Sequence, residues 1–178
     1  IITGHLGNWE YFLPIFGLNN YHFSIVAQPI KNKYLNKYFS KIRTSKNVEI
    51  IFKNESTKKI INALNNNYFL GLASDQNAGK KGTKVKLLNI EASIPKGAAL
   101  FHIKTKKPII LAYCIMDKNY NYNFKASLLD TSNINFEKED AIHTINSIFT
   151  DNLGSMIKLN PHQYFWFHKM KKKSLYKK

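Results

Sequence analysis

Short apolar runs alternating with helical patterns constrain this chain more than any other feature. Residues 1–3, 21–27, 48–52, 68–73 and 108–116 are brief and rich in apolar or β-branched side chains, as buried strands require. Between them lie helical patterns at 9–16, 32–43, 55–64 and 96–104. Strand and helix in alternation make each helix a crossover between parallel strands. The chain is therefore predicted to be α/β, with a mainly parallel or mixed sheet covered by helices on both faces. A length of 178 residues suits one such domain, spanning 1–178, and is short for two.

Pro14 limits or kinks the first helix. In the second, Leu35, Tyr38, Phe39 and Ile42 share one face; in the third, Ile60, Ile61 and Leu64 face inward. Residues 85–89 read as a short strand. Residues 119–129, which alternate in polarity, read as an edge strand, paired or antiparallel. Glu137 opens the longest helix, with acids at 137, 139 and 140 in its first turn and a core face of Ile142, Ile145, Phe149, Leu153 and Met156; Asn160-Pro161 ends it. There is no internal repeat, no linker and no cluster with metal-ligand spacing, since neither His162 nor His168 has a cysteine or acid near it. The longest apolar run, 108–116, is far short of the roughly 20 residues that cross a bilayer. A start inside a strand, with no initiator methionine, is what a fragment would give.

The first ten residues, Ile1-Ile2-Thr3-Gly4-His5-Leu6-Gly7-Asn8-Trp9-Glu10, join a strand to a glycine-flanked histidine and a helix start. A histidine just beyond a strand sits at the sheet edge where α/β proteins bind ligands. Asn8 is placed to cap a helix opening at Trp9, and Glu10 falls in its first turn, where negative charge is favoured. From there its carboxylate can point back at His5, fixing the tautomer and orientation a general base needs. The same pattern also describes a surface histidine beside an ordinary first-turn acid.

Asp75 and Gln76 follow the strand at 68–73 and so occupy the same kind of strand-end position as His5, in one shared cleft. The loop Asn77-Ala78-Gly79-Lys80-Lys81-Gly82 offers backbone donors and the charges of Lys80 and Lys81 to a phosphate, without the spacing of a nucleotide P-loop. A solvated hairpin turn reads equally from it. Arg43, at a helix C-terminus, either complements the helix dipole or binds an anion. Aromatics at 164–167, followed by Lys169, Lys171, Lys172 and Lys173, suit packing on the domain or the headgroup level of a membrane.

Five ordered blocks carry a resemblance. Gly4-His5-Leu6-Gly7-Asn8-Trp9-Glu10, Gln28-Pro29-Ile30-Lys31-Asn32 with Tyr34-Leu35, Ser74 to Gly82, Pro95-Lys96-Gly97-Ala98-Ala99-Leu100, and Pro161 to Lys169 resemble the lipid A biosynthesis acyltransferases, the bacterial lauroyl and myristoyl transferases. The last two are similar to that family's T-P-x-G-x-A-x-L and P-E-Q-W-x-W-x-H-R stretches, and His168 to its late histidine. The resemblance implies a glycerolipid acyltransferase-like fold for 1–178, truncated before the histidine motif where the family has a membrane-anchoring helix. It implies transfer of an acyl chain from acyl carrier protein to a hydroxyl of a lipid A precursor, without metal or cofactor, at the cytoplasmic face of the bacterial inner membrane. His5 and Glu10 would be catalytic, with nearby backbone N–H groups stabilising the oxyanion; Asn8, Arg43, Asp75, Gln76, Lys80 and Lys81 would meet substrate. Leu87-Leu88-Asn89 departs from the family, which commonly has an aromatic pair followed by glycine, so acyl length is not read from this region. A related acyltransferase acting on another glycolipid or an aminolipid would show the same centre.

A formal charge of +16 raises nucleic acid, an anionic membrane or an acidic partner. A basic nucleic-acid-binding domain has the charge, but the sequence holds no zinc module, RRM signature or basic recognition helix. Arg43 is the only arginine among 27 basic residues, in a chain rich in asparagine, lysine and isoleucine, so part of the charge follows an AT-rich codon bias. The remainder fits acyl carrier protein, an anionic lipid and a membrane surface as partners. Cys114, the one cysteine, lies in an apolar strand and suits a reducing compartment.

Overall fold

A computed structural model describes residues 1–53, 55 and 57–167. His168 and the lysines at 169, 171, 172 and 173 lie outside the described residues. The elements run β1 (Ile2–Thr3), α1 (Phe12–Leu18), β2 (Phe23–Ala27), α2 (Lys33–Arg43), β3 (Val48–Phe52), α3 (Thr57–Asn65), β4 (Phe69–Ala73), β5 (Thr83–Leu87), β6 (Ile90–Ile94), α4 (Gly97–Thr105), β7 (Ile110–Met116), β8 (Tyr122–Leu128) and α5 (Ala141–Leu159). The fold is α/β, with mainly parallel strand pairing and flanking helices. Two compact units divide it: Ile1 with Glu10–Leu72, and Ile2–Trp9 with the chain from Ala73 onward.

In the first unit β2 is central and runs parallel to both β3 and β4, with Phe23 opposite Val48 on one side and Phe69 on the other. Phe16 of α1 stacks on Phe23 at 4.6 Å and tilts against Phe69 at 4.9 Å. Phe16 and Phe23 are buried, and each such ring contributes about 1.5–3 kcal/mol by leaving water. Pro14 falls in the first turn of α1, where its missing N–H is not needed, and the helix continues to Leu18. A 3-10 turn at Trp9–Tyr11 precedes it where α-helix was predicted. In α3 the buried residues are Ile60 and Ala63, while Ile61 and Leu64 are only half-covered.

The Asn32 side chain caps α2, accepting from the N–H groups of Tyr34 and Leu35 at 3.0 and 3.1 Å. Its apolar face does not pack into the core. No residue of α2 is buried, and Leu35, Tyr38 and Ile42 are exposed.

In the second unit β1 runs parallel to β7, with Ile2 opposite Leu111, and β8 pairs antiparallel with β7 along its whole length. Every residue of β8 is exposed, and β8 ends the sheet order beside β7. The strand predicted at 85–89 is instead one arm of a hairpin, β5 with β6, joined by Leu88 and Asn89 at φ 53° and 62°. Two consecutive left-handed residues match the twist of a two-residue hairpin. Thr83, Val85 and Leu87 face inward and Lys84 and Lys86 outward. Helix α5 begins at Ala141, so the acids at 137, 139 and 140 precede it rather than form its first turn. Its core face is Ala141, Ile145, Phe149, Leu153 and Ile157; Ile142 and Met156 are half-buried at its margins. Among the described residues no helix is long and apolar enough to cross a membrane.

Candidate active site

The chain leaves β1 at Thr3, whose carbonyl accepts from the Ser74 N–H at 2.9 Å. This bond brings residues 4 and 5 beside residues 75 and 76. A Cβ on Gly4 would stand 2.7 Å from Leu153 Cδ1 and 3.3 Å from Asp75 Oδ2, so the glycine gives the carboxylate room to approach. Asp75 is 1% exposed and accepts hydrogen bonds from His5 and Tyr164. His5 N–H donates to Oδ2 at 2.7 Å, the Tyr164 hydroxyl donates to Oδ2 at 3.1 Å, and His5 Nδ1 lies 2.6 Å from Oδ1. These donors offset the cost of burying the carboxylate.

A carboxylate only accepts, so the Nδ1 contact assigns the proton to Nδ1 and leaves Nε2 as a lone-pair site. The Gln76 amide nitrogen lies 3.5 Å from Nε2, within reach but loosely held. Trp9 packs edge-on to the imidazole at 4.7 Å between centroids, and Phe165 lies at 6.3 Å. Burial, followed by the charge and hydrogen bond of Asp75, pushes ionisation of Tyr164 well above the usual tyrosine range, so its hydroxyl remains a donor.

The segment around Tyr164 also fixes the histidine backbone. Gly7 N–H donates to the Gln163 carbonyl at 2.9 Å, Phe165 N–H to the His5 carbonyl at 2.9 Å, and Asn8 N–H to the Cys114 carbonyl at 2.8 Å. The Gln163 side chain grips both backbone groups of Met116, at 2.9 and 2.8 Å. Gly7 has φ 66°, and a Cβ there would collide with the Cys114 carbonyl oxygen. The N–H groups of His5, Gly7 and Asn8 are thus all committed within the fold. They are not available for the oxyanion, as the sequence reading expected of nearby backbone.

The carboxylate beside His5 is not the Glu10 that the spacing predicts. Asp75 is the acid at Nδ1, and Glu10 instead receives Arg43 in a two-pronged pair, with Nε donating to Oε2 at 3.0 Å and Nη2 bonded to Oε1. The Arg43 guanidinium also lies over the Phe39 ring at 5.2 Å. Lys80 and Lys81 stand exposed on a 3-10 turn at Gly79–Lys81, which Ser93 ties down by donating to the Gly79 carbonyl at 2.6 Å. Cys114 is buried, and burial raises its thiol above the usual range, which disfavours a nucleophilic thiolate. Tyr164 and Gln163 were passed over as site residues, although the block Pro161 to Lys169 already stood out by resemblance.

The model of the bacterial lipid A biosynthesis acyltransferase family matches residues 1–173. The chain belongs to that family. Among curated proteins no match is found. Membership of the lipid A biosynthesis acyltransferases makes this an acyltransferase-type enzyme.

Proposed function

We propose that this lipid A biosynthesis acyltransferase moves a fatty acyl chain from acyl carrier protein to a hydroxyl of a lipid A precursor, with His5 as general base. The observation that carries the reading is His5 itself: Nδ1 is held by buried Asp75 and Nε2 is left to accept a proton. As the acceptor hydroxyl oxygen attacks the thioester carbonyl carbon, its proton passes to Nε2. Asp75 then faces an imidazolium and stabilises it, the role a carboxylate plays in a Ser-His-Asp triad, with the acceptor hydroxyl replacing the enzyme nucleophile. The tetrahedral oxyanion collapses, the carbon–sulfur bond breaks, and the leaving thiolate takes the proton back from Nε2.

The Gln76 amide, exposed and 3.5 Å from Nε2, is the donor best placed for the oxyanion. Asn8, Arg43, Lys80 and Lys81 are assigned to substrate, the three cations to phosphate on lipid or carrier. Glu10 orients Arg43 and no longer serves as the partner of the base. This work belongs at the cytoplasmic face of the inner membrane, where donor and acceptor meet.

The test is acyl transfer from acyl carrier protein thioesters of several lengths to a labelled lipid A precursor, comparing the protein with His5→Ala. The variant should lose at least about a hundredfold in turnover while remaining folded. Equal product from both would remove His5 from the mechanism. Product from another glycolipid or an aminolipid, with none from the lipid A precursor, would move the reading to that acceptor.

A further inference from the structure

Helix α2 is turned the wrong way for a core helix. Its half-buried residues are Asn36, Phe39, Ser40 and Arg43, whereas Tyr34, Leu35, Tyr38 and Ile42 are 87%, 49%, 61% and 56% exposed. At about 3.6 residues per turn the exposed four form one stripe, and Lys37 and Lys41, also exposed, flank it. The helix is held without that stripe. Arg43 is fastened to Glu10 and over Phe39, and the Asn36 side chain accepts from the Ile30 N–H at 2.8 Å. From residue 11 to 48 the sequence has no aspartate or glutamate but carries Lys31, Lys33, Lys37, Lys41, Arg43 and Lys46.

We infer that α2 lies flat on an anionic lipid surface with Tyr34, Leu35, Tyr38 and Ile42 inserted at the headgroup boundary. Aliphatic side chains gain by entering the acyl region, tyrosines favour the interface, and lysines pair with anionic headgroups. A purely acidic surface would meet the lysines but leave Leu35 and Ile42 without an apolar partner, whereas an anionic bilayer offers both. About 16 Å long, the helix is suited to lie on a bilayer, not to cross it. The inference deepens the acyl-transfer reading by naming the surface on which a lipid acceptor is met, yet it is tested by binding alone, without chemistry.

The experiment is co-sedimentation of the 178-residue chain with vesicles of phosphatidylcholine, with and without about a third phosphatidylglycerol. The protein should bind the anionic vesicles and be released by salt. Leu35→Ser/Ile42→Ser should weaken binding at least about tenfold, and Lys37→Glu/Lys41→Glu at least about fivefold per lysine. Both pairs are exposed, so circular dichroism and thermal midpoint should stay near those of the parent; the charge pair keeps the test decisive if the apolar pair disturbs folding. Unchanged vesicle binding in folded variants would overturn the inference, as would equal binding to neutral vesicles. Loss of self-association or of acyl carrier protein binding in the variants, with vesicle binding intact, would assign the face to protein and overturn it too.

Discussion

At the level of single residues the centre turns on which carboxylate serves His5. Asp75→Asn keeps the volume but offers Nδ1 an amide, which removes the charge facing the imidazolium and can invert the tautomer. Turnover should fall by about 10²–10⁴-fold. Glu10→Gln leaves the Asp75 bonds untouched and weakens the hold on Arg43, so its effect should appear in KM with the shape of the pH–rate profile unchanged. If Glu10→Gln alters that profile as Asp75→Asn does, the assignment is reversed. His5 and the strand-end placement of Asp75 and Gln76 were legible in the sequence, because residues beyond parallel strands gather at one sheet edge. The pairing was not, since Glu10 is five residues from His5 while Asp75 is 70 away. Local spacing favoured the nearer acid. The Thr3–Ser74 backbone bond helps bring the farther one into place.

The turn after β1 acts as one piece with the 161–167 segment, and Gly7 is where they lock. Alanine there must hold φ near 66° and push its methyl into the Cys114 carbonyl. Gly7→Ala should cost more than about 2 kcal/mol in urea denaturation and should also lower turnover, because the displaced turn carries His5. His5→Ala should also lose turnover and, by taking one donor from buried Asp75, about 1–3 kcal/mol of stability, while leaving the backbone of the turn in place. Native stability in Gly7→Ala would show that the turn is not constrained as described. Other elements were legible to unequal degrees. The bounds of α2 could be read, 32–43 against Lys33–Arg43, because helical periodicity is a local signal. The hairpin β5–β6 could not, since leucine gives no left-handed turn signal and Leu88 adopts that backbone. What covers the apolar face of α2 is not legible, because helical periodicity marks such a stripe without saying whether protein or another apolar phase meets it.

Across the whole molecule, two buried tyrosines set how stability responds to alkali. Burial pushes Tyr113 above the usual tyrosine range, and burial with the nearby Asp75 carboxylate does so for Tyr164. Unfolded tyrosines ionise near pH 10, roughly the free-peptide value. A folded-state value above the unfolded one means this contribution is fully present below about pH 10. It is lost as pH rises further, because the unfolded chain releases protons that the folded one retains. Each tyrosine held neutral adds a slope of about 1.4 kcal/mol per pH unit in that window. Lysines deprotonate in the same range, so the informative quantity is the difference between the protein and Tyr113→Phe, in which the lysine contribution cancels. Among the described residues the Tyr113 hydroxyl is buried with no hydrogen-bond partner. At pH 7 the substitution should therefore be neutral or stabilise by up to about 1 kcal/mol. Above pH 10 the variant should gain on the parent as pH increases. Denaturation curves that remain parallel from pH 7 to 11 would mean that Tyr113 ionises as readily in the folded protein as in the unfolded chain.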